Sequence, residues 1–232
     1  PASLAGDTVV VRRHWTLGEV FPAADFTATD DKATADQIQV YTAGGWVLYW
    51  LYDDPSGPNR WVLAGDANYA DQGGQVLPPG QGVFLNTQTD GPTGENLLAY
   101  GEVRANDFIR PLCAGHNLVG GGFPVDQSAT GTGSREMNLA PGLNEFFGSR
   151  DFKTADSFFV WKGDANAALD GYETYYLLSN SPTNPTIYRW VKVGDATLAA
   201  QDAQLLFLGD RSVFIRVAAD HHAYRIPCPW AP

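Results

Sequence analysis

The chain is poor in most features that mark nucleic-acid-binding, membrane-spanning or thiol-dependent proteins. Its 232 residues include one methionine, Met137, and two cysteines, Cys113 and Cys228. Lysine occurs only at 32, 153, 162 and 192, and 18% of residues are charged. Lys+Arg totals 15 against 26 for Asp+Glu, giving −11 at pH 7. DNA or an acidic membrane repels such a chain unless a basic patch intervenes, and the sequence has none. No stretch approaches the ~20 continuous apolar residues of a membrane-spanning helix. Helical periodicity is equally scarce, because 25 glycines and 15 prolines interrupt every candidate apolar period.

What is present indicates a folded, exported β protein. Apolar residues make up 44% of the chain, enough to exclude a disordered polyampholyte. The start, Pro1-Ala2-Ser3-Leu4-Ala5-Gly6, has neither the basic stretch nor the apolar core of a signal peptide. An exported protein whose signal peptide has been removed begins this way, as does an excised fragment; the former is the expectation, with an extracellular or cell-surface location. The cysteines fit two readings, two buried thiols or one disulfide. Export favours a Cys113–Cys228 bond, whose long loop is worth about 4–5 kcal/mol in the chain-entropy model.

Self-similarity supplies the organisation. Thr34–Tyr41 matches Thr154–Trp161 at an offset of 120. Arg60-Trp61-Val62 and Gly65-Asp66-Ala67 match Arg189-Trp190-Val191 and Gly194-Asp195-Ala196 at 129, and Val83-Phe84-Leu85 matches Val213-Phe214-Ile215 at 130. Upstream, His14-Trp15-Thr16-Leu17 with Phe21-Pro22 echoes His116-Asn117-Leu118-Val119 with Phe123-Pro124 at 102, implying 18 extra residues in the second copy. These would form a loop within 125–153, followed by a short helix near Leu143–Phe147. Aromatic and β-branched runs at Trp46–Tyr52 and Tyr172–Leu178, bounded by Gly, Asp and Pro, predict strands. Arg60–Leu63, Val83–Asn86, Tyr188–Val193, Ser212–Val217 and Phe108–Leu112 follow the same logic, with Thr8–Arg13, Leu97–Val103 and Ala223–Ile226 at the ends. The expected fold is all-β, with two tandem, distantly repeated β-sandwich or small β-barrel domains at 1–108 and 109–232 and very little helix. The acidity is uneven, about −8 through Arg110 and −3 beyond it.

The His-Trp-Thr-Leu…Phe-Pro opening, the Gly115-His116-Asn117-Leu118-Val119-Gly120 segment and the Leu77–Leu85 turn resemble an uncharacterised family of secreted β-rich proteins from Verrucomicrobia-type bacteria. The resemblance spans most of the chain and implies export and a duplicated β architecture. It brings no reaction and no active site.

Catalytic signatures are scarce. There is no Gly-x-Ser-x-Gly elbow and no cysteine in a nucleophile setting. The six glutamates lack counterparts between the repeats, so no catalytic residue is assigned and a non-enzymatic protein is expected. His14 and His116 occupy matched positions, which suggests a structural role. His221 and His222, adjacent on a strand, should face opposite ways. Calcium is the metal the residues fit best, through oxygen ligands at Asp164, Asn166 and Asp170; no other cofactor is expected. The Asp66–Asp71 loop has similar chemistry, but both segments depart from the EF-hand pattern, and Asp and Asn are ordinary turn residues.

The aromatic strands carry the functional expectation. Trp46, Trp50 and Tyr52 share one face of a strand whose other face is also apolar, so the strand is either buried on both sides or covered by something outside the chain. The first reading of function is a self-assembling surface or fibre subunit, its copies joined head to tail through Val9, Val10, Val11 and Trp230. The alternative is a secreted polysaccharide-binding module that stacks sugars on Trp50, Trp61 or Trp190.

Overall fold

A computed structural model describes residues 13–42, 44–88, 106–130, 135–141, 146–161, 171–179, 188–209 and 211–230. Antiparallel strands dominate these residues, with one helical turn, α1 (Leu17–Val20), and one 3-10 turn, Ala23–Asp25. The expected all-β class is what the chain adopts. Residues 8–12 and 97–103, and most of 143–147, lie outside the described residues; Phe146 and Phe147 belong to no helix. The chain forms two compact units. One comprises Pro1–Gln37, Tyr49–Pro79 and Thr87–Glu95, the other Ile38–Leu48, Gly80–Asn86 and Asn96–Pro232.

In the first unit, the end of β2 (Gly45–Tyr52) pairs with β3 (Arg60–Leu63), Tyr49 opposite Leu63 and Tyr52 opposite Arg60. Asp54 shapes the intervening turn, accepting the Ser56 N–H at 2.9 Å and pairing with Arg60. Glu19 reaches back to the Thr16 N–H at 3.0 Å, a capping-box contact that starts α1 despite its brevity. Trp61 is buried, and its indole N–H donates to the Phe21 carbonyl at 2.8 Å.

The second unit holds most of β1 (Gln37–Thr42), the start of β2, β4 (Val83–Asn86) and the remaining strands. These are β5 (Phe108–Leu112), β6 (Gly115–Gly120), β7 (Gln127–Ser128), β8 (Ser157–Trp161), β9 (Tyr172–Ser179), β10 (Tyr188–Lys192), β11 (Leu205–Phe207), β12 (Ser212–Val217) and β13 (His221–Ile226). Five of them form a sheet in the order β10-β9-β8-β12-β6, while β11-β7 and β13-β5 make two-stranded ribbons. One sheet face supplies Phe158, Tyr175, Leu177, Trp190 and Ile215 to a core closed by Leu112, Tyr224 and Ile226 of the β13-β5 ribbon and by Phe207 of β11. The opposite face carries a smaller cluster of Ala155, Tyr176 and Val191. Apolar residues on both sides of β9 thus have separate partners.

Local geometry recurs between matched positions. Asp36 and Asp156 each accept two backbone N–H groups, from Thr27 and Gln88 at 2.8 and 2.9 Å and from Phe147 and Ala218 at 2.7 and 2.8 Å. Trp190 donates to the Leu139 carbonyl at 3.0 Å as Trp61 does to Phe21. Asp66 caps the N–H groups of Asn68 and Ala70, and Asp195 those of Thr197 and Ala199. The turns before them need glycine, since Gly65 and Gly194 have φ of +91° and +87°.

Two expectations need correction. The upstream match at 102 has no structural counterpart: His14 is exposed coil, whereas His116 lies in β6 opposite Arg216. Instead Gly18 donates to the Gly73 carbonyl as Thr130 does to Asp202, an offset of 112 that becomes 120 at Thr27 and Phe147. On that alignment the stretch from Thr130 to Phe147 is eight residues longer than that from Gly18 to Thr27, inside the expected 125–153 stretch, in place of the expected 18. Nor are Cys113 and Cys228 bonded to each other. Leu112 lies opposite His221 and Phe108 opposite Ile226, so the cysteines follow opposite ends of the β13-β5 ribbon. At ~3.3 Å per strand residue the ribbon alone holds them apart by more than the roughly 7 Å Cα separation a disulfide tolerates.

Candidate functional site

The most developed surface feature is an aromatic cup built wholly from the second unit. Tyr41 of β1, Trp46 of β2, His116 of β6, Phe159 of β8, Tyr172 of β9 and Phe214 of β12 line a hollow of about 360 Å³. Strand alternation explains why these rings share one side. Phe158 points into the core with 0% exposure, so Phe159 projects the other way; Ile215 likewise turns inward and Phe214 outward. The pairing of Phe214 with Phe159 across β12 and β8 brings their positions side by side.

Phe214 is the hub. Tyr41, Trp46, His116 and Tyr172 surround it with ring centroids at 5.4, 5.8, 6.2 and 5.9 Å and planes inclined at 89°, 87°, 88° and 64°. Edge-to-face placement of this kind is favoured by the ring quadrupoles. Sequence-matched residues meet here: Tyr41–Trp46–Phe84 on one side and Trp161–Tyr172–Phe214 on the other, joined by the Phe84–Phe214 and Phe84–Trp161 contacts. Trp46 stays 48% exposed and Tyr172 41%, so the hollow is open to solvent.

Among the described residues, no Lys, Arg, Asp or Glu lines the cup. Burial and the neighbouring Arg216 charge hold the His116 imidazole below its ordinary pKa, and burial pushes the Tyr172 phenol up, so both are neutral at physiological pH. Arg216 itself is turned away, donating to the carbonyls of Lys153 and Ala155. Glu173, next to Tyr172, is held by Lys192 and the Tyr175 hydroxyl. A second hollow, of about 390 Å³ in the first unit, is lined by Asp30, Asp31, Lys32, Trp50, Asp66 and Tyr69 among others. Its Asp66 carboxylate is committed to its own turn, whose hydrogen bonds lower its pKa.

The residues expected to function fare unevenly. Trp50, Trp61 and Trp190 are 5%, 1% and 0% exposed, so none is a platform for sugars: they are core, the latter two pinned by their indole hydrogen bonds. Trp230 is half exposed, with its ring edge-on to Phe123 at 5.3 Å, and the preceding Cys228 N–H is bonded to Asp107. Pro227–Trp230 thus packs in part against its own unit, with one side of Trp230 left in solvent. Val9, Val10 and Val11, like Asp164, Asn166 and Asp170, lie outside the described residues. Among the described residues no group of three or more His, Cys, Asp or Glu side chains could hold a metal ion. His221 is buried against Phe146 and His222 exposed, on opposite sides of their strand.

The cup was missed as a site, although every member of its two triads occurs in the repeat matches or the aromatic runs. The alternation of β2 puts Trp46 and Trp50 on one face and carries no signal that the first is exposed and the second buried. Comparison with protein-family models, curated proteins and solved structures yields no match.

Proposed function

We propose that this chain is a non-enzymatic, exported structural protein that associates with copies of itself at the cell surface or in a fibre. The observation that carries the reading is an apolar patch on the second unit, separate from the aromatic cup. Phe147, Phe152 and Tyr188 are 49%, 41% and 39% exposed around the end of the sheet where β10 is the edge strand. Phe152 leans on Tyr176, and the Tyr188 ring lies against Gly148, leaving no room there for a larger residue. Large apolar groups beside a sheet edge favour association. The net charge of −11 opposes it over long distances, and salt weakens that opposition.

Light scattering should show a mass that rises with protein concentration and with salt. Replacing Phe152 and Tyr188 together by serine should lower that mass while the melting temperature of the exposed-site variant stays nearly unchanged. A strictly monomeric native protein at high concentration, by scattering and by electron microscopy, would remove the reading.

A further inference from the structure

We propose that the aromatic cup is a binding site for a neutral saccharide, held by stacking on Trp46 and Tyr172 and by hydrogen bonds from the cup's own polar groups. This goes beyond self-association and rests on different residues. It also places carbohydrate binding away from Trp50, Trp61 and Trp190, which the core consumes.

Three observations converge. The first is shape. Four rings stand steeply around Phe214, forming walls and a floor that present both faces and edges of aromatic systems. A pyranose has an apolar face of C–H groups and a rim of hydroxyls, so it needs a flat ring beneath it and polar groups beside it. The hollow of about 360 Å³ lies within the range of small-ligand sites.

The second is the state of the polar groups. The Tyr41 hydroxyl, the Trp46 indole N–H, the His116 imidazole and the Tyr172 hydroxyl line or border the hollow, and none has a hydrogen-bond partner among the described residues. Trp61 and Trp190 behave otherwise, each committing its indole N–H to a backbone carbonyl. The four groups supply donors and acceptors of the kind that sugar hydroxyls take up.

The third is charge. The lining holds no ionised side chain among the described residues, and the nearby Arg216 and Glu173 are engaged elsewhere. An anionic sugar or a phosphate would enter without a counter-ion, and the Arg216 charge behind His116 offsets the attraction the rings would otherwise offer a cation. A neutral hexose or pentose oligomer meets no such cost.

The test is a titration of the full chain with soluble neutral oligosaccharides representing β-glucan, α-glucan, xylan, mannan and chitin, followed by tryptophan fluorescence and by calorimetry. At least one should bind saturably and change the fluorescence, and Trp46→Phe should abolish most of that change. Tyr41→Phe and Tyr172→Phe keep the rings and remove only the hydroxyls, so each should weaken binding roughly 3- to 10-fold without altering the melting temperature. Absence of saturable binding across the panel would overturn the proposal. So would binding that all three variants leave intact, or a cup that takes up only an apolar dye. Running each titration at a protein concentration where scattering reports the monomer keeps the result independent of self-association: sugar binding without polymers sinks only the structural reading, and polymers without sugar binding sink only this one.

Discussion

Asp36 and Asp156 stand 120 positions apart and make the same pair of bonds. Each carboxylate is 1% exposed, and each binds a backbone N–H nine residues upstream and another more than fifty residues downstream. Neither makes a salt bridge within hydrogen-bonding range among the described residues; backbone N–H groups neutralise them.

Removing either carboxylate should therefore be costly. Asp36→Ala or Asp156→Ala leaves two N–H groups without their acceptor, at about 1–3 kcal/mol each where water cannot replace it. Urea denaturation should show a loss of roughly 2–5 kcal/mol for Asp156→Ala, and a smaller one for Asp156→Asn, which retains one acceptor oxygen. A loss below about 0.5 kcal/mol would mean that solvent serves these N–H groups as well as the carboxylate does.

The indole bonds can be tested separately from tryptophan packing. Trp190→Phe should cost the Leu139 hydrogen bond plus some lost volume, about 1–3 kcal/mol, whereas Trp190→Ala should approach 3–5 kcal/mol. The same pair at Trp61 should behave alike. Chemical denaturation of the four variants supplies the comparison.

Acid should destabilise the fold through its turn carboxylates. Hydrogen bonds from Asn68 and Ala70 lower the pKa of Asp66, and bonds from Thr197 and Ala199 lower that of Asp195. A depressed folded pKa means stability that is present above the unfolded value near 3.9 and lost as pH falls through the lower folded value. The melting temperature should thus fall as pH drops below about 4. Asp66→Asn with Asp195→Asn should make that decline shallower, and an unchanged slope would exclude these turns as its source.

Reducing agent should not matter. Because Cys113 and Cys228 lie beyond opposite ends of one ribbon, dithiothreitol should leave the melting temperature unchanged, and exposed Cys113 should react with a thiol reagent in the native state while buried Cys228 reacts only on unfolding. A fall of several degrees on reduction would restore the disulfide.

The strand segments were legible because their chemistry is local. Trp46–Tyr52 and Tyr172–Leu178 are dense in residues that suit a pleated surface, and Gly, Asp and Pro stop them. The paired Asp-containing turns were equally readable, since Asp66 and Asp195 cap the same bond two residues on. The cup was not legible. Nothing in the alternation of β2 distinguishes Trp46, which stays in solvent, from Trp50, which does not; the difference is made by what covers each end of the strand. The alternative alignment upstream was hidden for a similar reason. His14-Trp15-Thr16-Leu17 and His116-Asn117-Leu118-Val119 are short phrases that share little beyond the histidine, whereas the Gly18 and Thr130 bonds involve main chain only.

The two aspartate clamps also set an order for synthesis. Asp36 finds its distal partner at Gln88, 52 residues later, but Asp156 must wait 62 residues for Ala218. A nascent chain emerging from the ribosome has the residues for the first clamp long before those for the second. Until position 218 is made, Asp156 has an N–H partner only at Phe147, and the second half lacks the bond that ties β12 to the turn before β8. Truncation before Ala218 would leave the first clamp able to close and the second open, so a chain still being made has one half ready to fold and the other unfinished.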